Sequence, residues 1–231
     1  LRLLKTLRKG FTLMVSLPKN CPDLARAAVE AGAECLKVHI NCHHFASDTR
    51  FGNWHEEKVV ISEIKDACGK IPLGLVSGEQ TQPGRADLDE IEEFGFDFWD
   101  LFCRFTPPEF LDLPNMGRMV AIDSSWEPWL IKALADLHVD VIESSIIPRD
   151  NYRGELNLED VARYHRLAQC STMPILIPTQ KAIKPEQVRY LKRAGAAGIT
   201  IGAVVTGLEP KSLKEATSAF RWAIDDMSSG R

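Results

Sequence analysis

Short apolar runs alternate with stretches of helical periodicity from one end of the chain to the other. The apolar runs are Thr12–Leu17, Cys35–Asn41, Leu73–Ser77, Asp97–Phe102, Met119–Ser124, Val139–Ser145, Ile175–Pro178 and Gly198–Gly202. Each is short and mostly bounded by Gly, Pro, Asn or Asp, which predicts parallel strands covered on both faces. Between them, apolar residues recur three and four positions apart. Leu24, Ala27, Ala28 and Ala31 form one such stripe, with Asn20 as the expected cap and Pro22 in the first turn. Val60, Ile61, Ile64 and Ala67 form a second. Trp129, Leu130, Ala133, Leu134 and Leu137 form a third. Leu213, Ala216, Phe220, Ala223, Ile224 and Met227 form a fourth. The stretch after the fourth strand, TPPEFLDLPN, carries too much proline for a good helix.

A weak repeat precedes the even strands: Ala31-Gly32-Ala33, Phe94-Gly95-Phe96-Asp97, Leu137-His138-Val139-Asp140 and Ala194-Gly195-Ala196. Glycine there suits a left-handed residue at a helix C-terminus. Unbroken strand–helix repetition implies an all-parallel sheet. Eight units predict closure into one (β/α)8 TIM barrel of the α/β class spanning residues 1–231, with no linker and no second domain.

The 231 residues suffice for such a barrel, and 45% hydrophobic with 26% charged is ordinary for a globular protein. A net charge of −4 gives no reason to expect nucleic acid or an anionic membrane as partner. No apolar run reaches the roughly 20 residues of a membrane span. The opening LRLLKTLRKG lacks the long apolar core of a signal peptide. Six scattered cysteines without a CxxC pair read as reduced thiols, which points to the cytoplasm. A homodimer is compatible with the sequence.

In such barrels the chemistry sits at the C-terminal strand ends. Alternation places Lys37, His39 and Asn41 on one face of the second strand, between apolar neighbours. Packing does not call for Lys and His inside a barrel, because buried charge needs partners. The trio is a candidate site, or else a structural hydrogen-bond network. Other strand ends offer Glu79, Asp100 followed by Arg104, Asp123, Glu143, and Thr179-Gln180-Lys181. Carboxylates facing a Lys and a His could divide acid and base roles, and a Lys of lowered pKa could form a Schiff base. The long loop Cys42–Trp54 contains His43 and His44, but no HExxH and no matching ligands on the third and seventh strands, so no metal is expected. The loop Pro148–Leu156 offers Arg149 and Arg153 as anion contacts, the simpler alternative being a solvated loop.

The segment KPEQVRYLKRAGAAGITIGAVVTG ends its strand on Gly202-Ala203, whose N–H groups could meet a phosphate beside Gln180 and Lys181. The alternative is that Gly202 only eases packing at the rim. Together with MVAIDSSWEPWLIKALADLHVDVIESSI and LMVSLPK, this segment resembles the ribulose-phosphate-binding barrels, and among them the N-acetylmannosamine-6-phosphate 2-epimerases. That resemblance implies a phosphorylated ligand, the glycine that holds it, and Ser16 at the family's serine position. Lys37 and His39 stand where the family has Arg and Asn. Ser77 falls at its catalytic lysine, and Ile177-Pro178-Thr179-Gln180-Lys181 lacks its carboxylate.

The expectation is an isomerase, epimerase or aldolase-type lyase acting next to the carbonyl of a small sugar phosphate, without a cofactor. Lys37, His39, Asp123 and Glu143 would be catalytic. Ser16, Asn41, Glu79 and Arg149 would bind substrate, and Gln180, Lys181, Gly202 and Ala203 the phosphate. Two other readings stay open: an oxidoreductase with FMN in the phosphate site, and a non-catalytic phosphometabolite-binding protein.

Overall fold

A computed structural model describes residues 1–78 and 81–229. Eight parallel strands close into a barrel: β1 Thr12–Ser16, β2 Cys35–His39, β3 Leu73–Val76, β4 Phe98–Phe102, β5 Gly117–Ile122, β6 Val141–Ser144, β7 Ile175–Pro178 and β8 Gly198–Ile201. β8 pairs back onto β1, from Thr12 opposite Gly198 to Val15 opposite Ile201. All eight expected strands are present, and seven differ at an end by one to two residues.

Helices α2 Pro22–Glu30, α3 Trp54–Cys68, α4 Arg85–Phe94, α5 Pro128–Asp136, α6 Leu158–Cys170, α7 Val188–Arg193, α8 Ala203–Thr206 and α9 Pro210–Ser228 follow the strands. After β4 the proline-rich segment forms two 3-10 turns, Cys103–Phe105 and Pro108–Asp112, in place of a helix. The expected stripe of α2 is buried and those of α3 and α9 are buried or half-buried, but α5 buries Ile131 and Leu134 and leaves Trp129 and Leu137 exposed. The N-cap of α2 is Cys21, not Asn20. Asn20 instead grips the end of β2: its amide donates to the His39 carbonyl (2.7 Å) and its oxygen accepts from the His39 N–H (3.2 Å).

The repeated turn has one physical cause. Gly32, Gly95, His138 and Gly195 occupy its four copies, and all have positive φ. The left-handed residue ends the helix and returns the chain into the next strand. The cysteines are all free.

Strand register sorts the inward side chains into layers of four from alternate strands. Cys35, Phe98, Val141 and Gly198 form the lowest full layer, and Met14, Gly74, Met119 and Leu176 the next. Gly74 makes room for the Phe98 ring, which a Cβ there would overlap. A helix that the sequence reading did not assign, α1 Arg2–Leu7, closes this end. Its Leu3 and Leu7 join the cluster of Met14, Phe98, Met119, Val141 and Leu176. Arg2 fixes it through a forked ion pair to Asp97, at 2.5 and 2.9 Å.

Candidate active site

The third layer is polar. The same register brings Lys37 from β2, Asp100 from β4, Glu143 from β6 and Thr200 from β8 to one level, and all four are buried. Above it lies a cavity of about 720 Å3 at the C-terminal mouth, and the four polar side chains are its floor. Lys37 Nζ donates to Asp100 Oδ2 (2.6 Å) and Glu143 Oε2 (2.7 Å). Burial works against the Lys37 charge, but the two carboxyls outweigh it and raise its pKa. Burial pushes Asp100 well above the usual carboxylate range, helped by the Glu143 charge and opposed by Lys37. Glu143 is pushed up by burial too, yet the Lys37 ammonium and a hydrogen bond from Asp100 bring it below its ordinary value.

His39 stands two residues higher on β2, beyond the layer of Ser16. Its Nε2 is 3.3 Å from Ser16 Oγ, its ring stacks on Phe51 at 4.8 Å, and its Nδ1 has no hydrogen-bond partner among the described residues. Burial, then His44 and Lys37, keep it neutral. His44 is brought down to about 4 by burial and the Lys37 charge, and its Nδ1 meets Ser47 Oγ at 2.7 Å. His43 turns aside to Asp48. Among the described residues no three His, Cys, Asp or Glu side chains gather as a metal would require.

The other expected site residues divide. Asn41 lines the cavity but has left the strand: β2 ends at His39, and Asn41 takes φ 54° with its N–H on the Gly52 carbonyl. Its carbonyl presses on Gly78, where any Cβ would overlap it. Asp123 lines the mouth but is paired with Arg104, not Lys37. Burial raises its pKa, but the Ser125 hydroxyl and N–H and the Arg104 charge win and lower it. Arg149 lines the cavity with its guanidinium 5.1 Å from the Phe45 ring. Glu79 lies outside the described residues.

Of the residues expected around a phosphate, Gly202 lines the cavity and donates its N–H to Thr179 Oγ1 (2.9 Å). Gln180 lines it as well, but its amide braces the loop after β6, accepting from Ile147 N (3.0 Å) and donating to Tyr152 OH (3.1 Å). Lys181 is buried against Asp160 at 3.3 Å and does not line the cavity, and neither does Ala203, the first residue of α8. Gly202 does not serve close packing. A Cβ there would meet nothing nearer than Ser16 Cβ at 3.7 Å, an ordinary contact.

Two loops meet above the cavity. The segment after β2 forms a small ribbon, His43–His44 against Thr49–Arg50. The segment after β6 makes a 3-10 turn at Arg149–Asn151. Phe45 stands edge-on to Tyr152 (5.2 Å between rings), and Arg153 donates to the Ala46 carbonyl (2.8 Å).

Asp100 belongs to the floor although the sequence marks it only as one carboxylate among several, and Thr200 and Tyr152 join the site without a motif. Asp100 and Thr200 were within reach of alternation, since each lies two residues from an inward neighbour, Phe98 and Gly198. Tyr152 carried no such signal.

No family model and no curated protein sequence matches the chain. Solved structures do match it in shape. A tryptophan synthase alpha-subunit mutant from Pyrococcus furiosus superposes with a TM-score of 0.71 at 15% identity, over 92% of this chain and 98% of that one. Phosphoribosyl anthranilate isomerase from Thermus thermophilus gives 0.68 at 13%, over 94% and 100%. Thiamine phosphate pyrophosphorylase from Pyrococcus furiosus gives 0.65 at 14%, over 96% and 98%. At these identities the likeness is one of fold, and the chain is a (β/α)8 TIM barrel.

Proposed function

We propose that this barrel is an enzyme that moves a proton next to the carbonyl of a small phosphorylated metabolite, a sugar phosphate, as an isomerase, epimerase or aldolase-type lyase does. The observation that carries the proposal is the buried Lys37 held between Asp100 and Glu143 on the floor of an open cavity. Three ionisable side chains beneath a cavity are costly to bury and unnecessary for closing a barrel. Strongly perturbed carboxyl pKa values in a cleft mark sites of proton transfer. Glu143, ionised, is the base. Lys37 is the fixed positive charge under the enolate oxygen, since the two carboxyls that keep it protonated disfavour the neutral amine a Schiff base needs. His39, neutral and with Nδ1 unpartnered, orients a substrate hydroxyl, and Asn41 lines the same wall.

The phosphate is assigned to the β7–β8 side of the mouth. Gly202 leaves room there that no atom of the described residues uses, and the Thr179 hydroxyl on its N–H is a group that an anion can displace or recruit. The names of two neighbours, a thiamine phosphate pyrophosphorylase and a phosphoribosyl anthranilate isomerase, support a phosphorylated ligand. The likeness to the N-acetylmannosamine-6-phosphate 2-epimerases extends to the phosphate end. Ser77 at the lysine position, buried with its hydroxyl on Gln82, argues for different catalytic residues.

The test is a panel of aldose, ketose and N-acetylamino-sugar phosphates in D2O, followed by proton NMR. Deuterium should enter beside the carbonyl of at least one of them. Lys37→Ala with Glu143→Ala should lower that rate by at least the roughly 10²–10⁴-fold attributable to one acid–base group. Turnover surviving the double substitution sinks the assignment.

A further inference from the structure

The floor of the cavity has one cation for two carboxyl groups. Lys37 Nζ reaches one oxygen of each, Asp100 Oδ2 and Glu143 Oε2. Asp100 Oδ1 is buried and receives no hydrogen bond from any described donor. An ionised carboxylate oxygen without a donor is costly to bury, and the uncharged oxygen of a protonated carboxyl costs less. Two carboxylates on one buried ammonium would also leave the layer with a net negative charge, since Thr200 is neutral. The charged and titratable groups that share the cavity with Asp100 are Lys37 and Glu143 within the layer, His39 and His44 above it, and Cys42, His43, Arg149, Tyr152 and the Arg104–Asp123 pair nearer the mouth. His39 and His44 are held neutral, so no other cation at this depth offsets a second carboxylate.

We infer that Asp100 holds a resident proton, shared towards Glu143 across Lys37, and is a further catalytic residue: the general acid partnering the Glu143 base. The role as acid rests on the function proposed above; the proton itself does not. The opposite pKa shifts of the two groups, Asp100 up and Glu143 down, agree with this division. Pairs of carboxyls pushed apart in this way are how one site holds an acid and a base together.

The step balances without a co-reactant. Glu143 takes the proton from the carbon beside the carbonyl, and the C–H electron pair becomes the C=C bond of an enediol. The C=O π pair moves onto oxygen, which takes the Asp100 proton. Asp100 leaves as carboxylate and Glu143 as acid. Lys37 stays an ammonium throughout and offsets the one negative charge as it moves from Glu143 to Asp100. Glu143 then gives its proton to carbon while Asp100 takes one back from oxygen: delivery to the opposite face of the same carbon is epimerisation, and delivery to the former carbonyl carbon, with the neighbouring hydroxyl giving its proton to Asp100, is isomerisation.

The resident proton can be read without any substrate. In the full chain labelled with [13Cγ]aspartate, carbon NMR at neutral pH should show one aspartate carboxyl at the protonated position. The signal should vanish in Asp100→Asn. In Glu143→Gln it should move to the ionised position, because Asp100 is then the only anion available to Lys37. A wild-type spectrum with every aspartate ionised overturns the inference, as does a protonated signal that persists in Asp100→Asn or is unmoved in Glu143→Gln. If Asp100→Asn does not fold, the wild-type and Glu143→Gln spectra decide alone. For the acid role, dihydroxyacetone phosphate serves as a minimal hydroxycarbonyl phosphate. Its solvent exchange beside the carbonyl should slow by about 10²–10⁴-fold in Asp100→Asn, and an unchanged rate removes Asp100 from catalysis. Absence of exchange in the wild type overturns the acid role together with the proposed function. The spectra then still decide where the proton is.

Discussion

Replacing Lys37 by Met tests the charge balance of the barrel floor directly. The side chain is buried, and its ammonium is the shared partner of Asp100 and Glu143. Met matches the length of the aliphatic stem, so the change in packing is small and the change in charge is whole. Removing one partner of a buried ion pair leaves the other uncompensated, at a cost of about 3–5 kcal/mol. For a chain of this size that is a fall in Tm of roughly 6–20 °C. The pH dependence gives the sharper test. In the wild type Glu143 has a lowered folded-state pKa, so its contribution is present above the unfolded value of about 4.5 and is lost as pH falls. In Lys37→Met burial outweighs the remaining hydrogen bond from Asp100, and the folded-state pKa of Glu143 rises above the unfolded value. The variant should therefore regain stability relative to wild type as pH is lowered from 7 towards about 5. Glu143→Gln added to Lys37→Met removes the stranded charge, and much of the loss should return. Urea unfolding of the three proteins at several pH values measures this. A loss in Lys37→Met below about 1 kcal/mol, or one independent of pH and not relieved by Glu143→Gln, would refute the account of the floor as a charge-compensated layer.

Gly202→Ala and Gly74→Ala separate a glycine kept for a ligand from one kept for packing. At position 202 the new methyl meets only ordinary contacts, so stability should hold or rise by about 0.4–1 kcal/mol while affinity for a sugar phosphate falls. At position 74 the methyl overlaps Phe98 and should cost about 1–3 kcal/mol by thermal unfolding. Leu3→Ala opens a hole in the plug beneath the barrel and should cost about 2–5 kcal/mol; a Tm change near zero would mean that α1 does not seal that end. Phe45→Ala removes the ring contact to Tyr152, worth about 0.5–1.5 kcal/mol. Hydrogen exchange over residues 43–50 should then quicken by roughly 2- to 12-fold, and unchanged protection would show that the two loops move independently.

The sequence by itself determined the strands, their number and the side on which each side chain lies. Those are local properties: the apolar runs are short, inward and outward positions alternate, and a left-handed residue recurs before the even strands. Lys37, His39 and Glu143 were therefore legible as inward and buried. Which of them meet was not, because partners across a barrel depend on strand stagger, which is a property of closure. Glu143 and Asp123 were both expected as carboxylate partners of Lys37: Glu143 does meet it, but β5 ends at Ile122, one residue short of Asp123, and Arg104 takes that carboxylate. Asp100 sits at the matching level of β4 and is the partner instead. Strand ends misled for a related reason. Alternation stops where the ladder stops, so Asn41 turns left-handed and Lys181 folds back onto Asp160 behind the mouth. The plug α1, at six residues too short to declare itself as a helix, is held by apolar contacts with the barrel's lowest layers and the Arg2–Asp97 pair. Local chemistry chose the strands, and the geometry of closing them chose which charges share the floor.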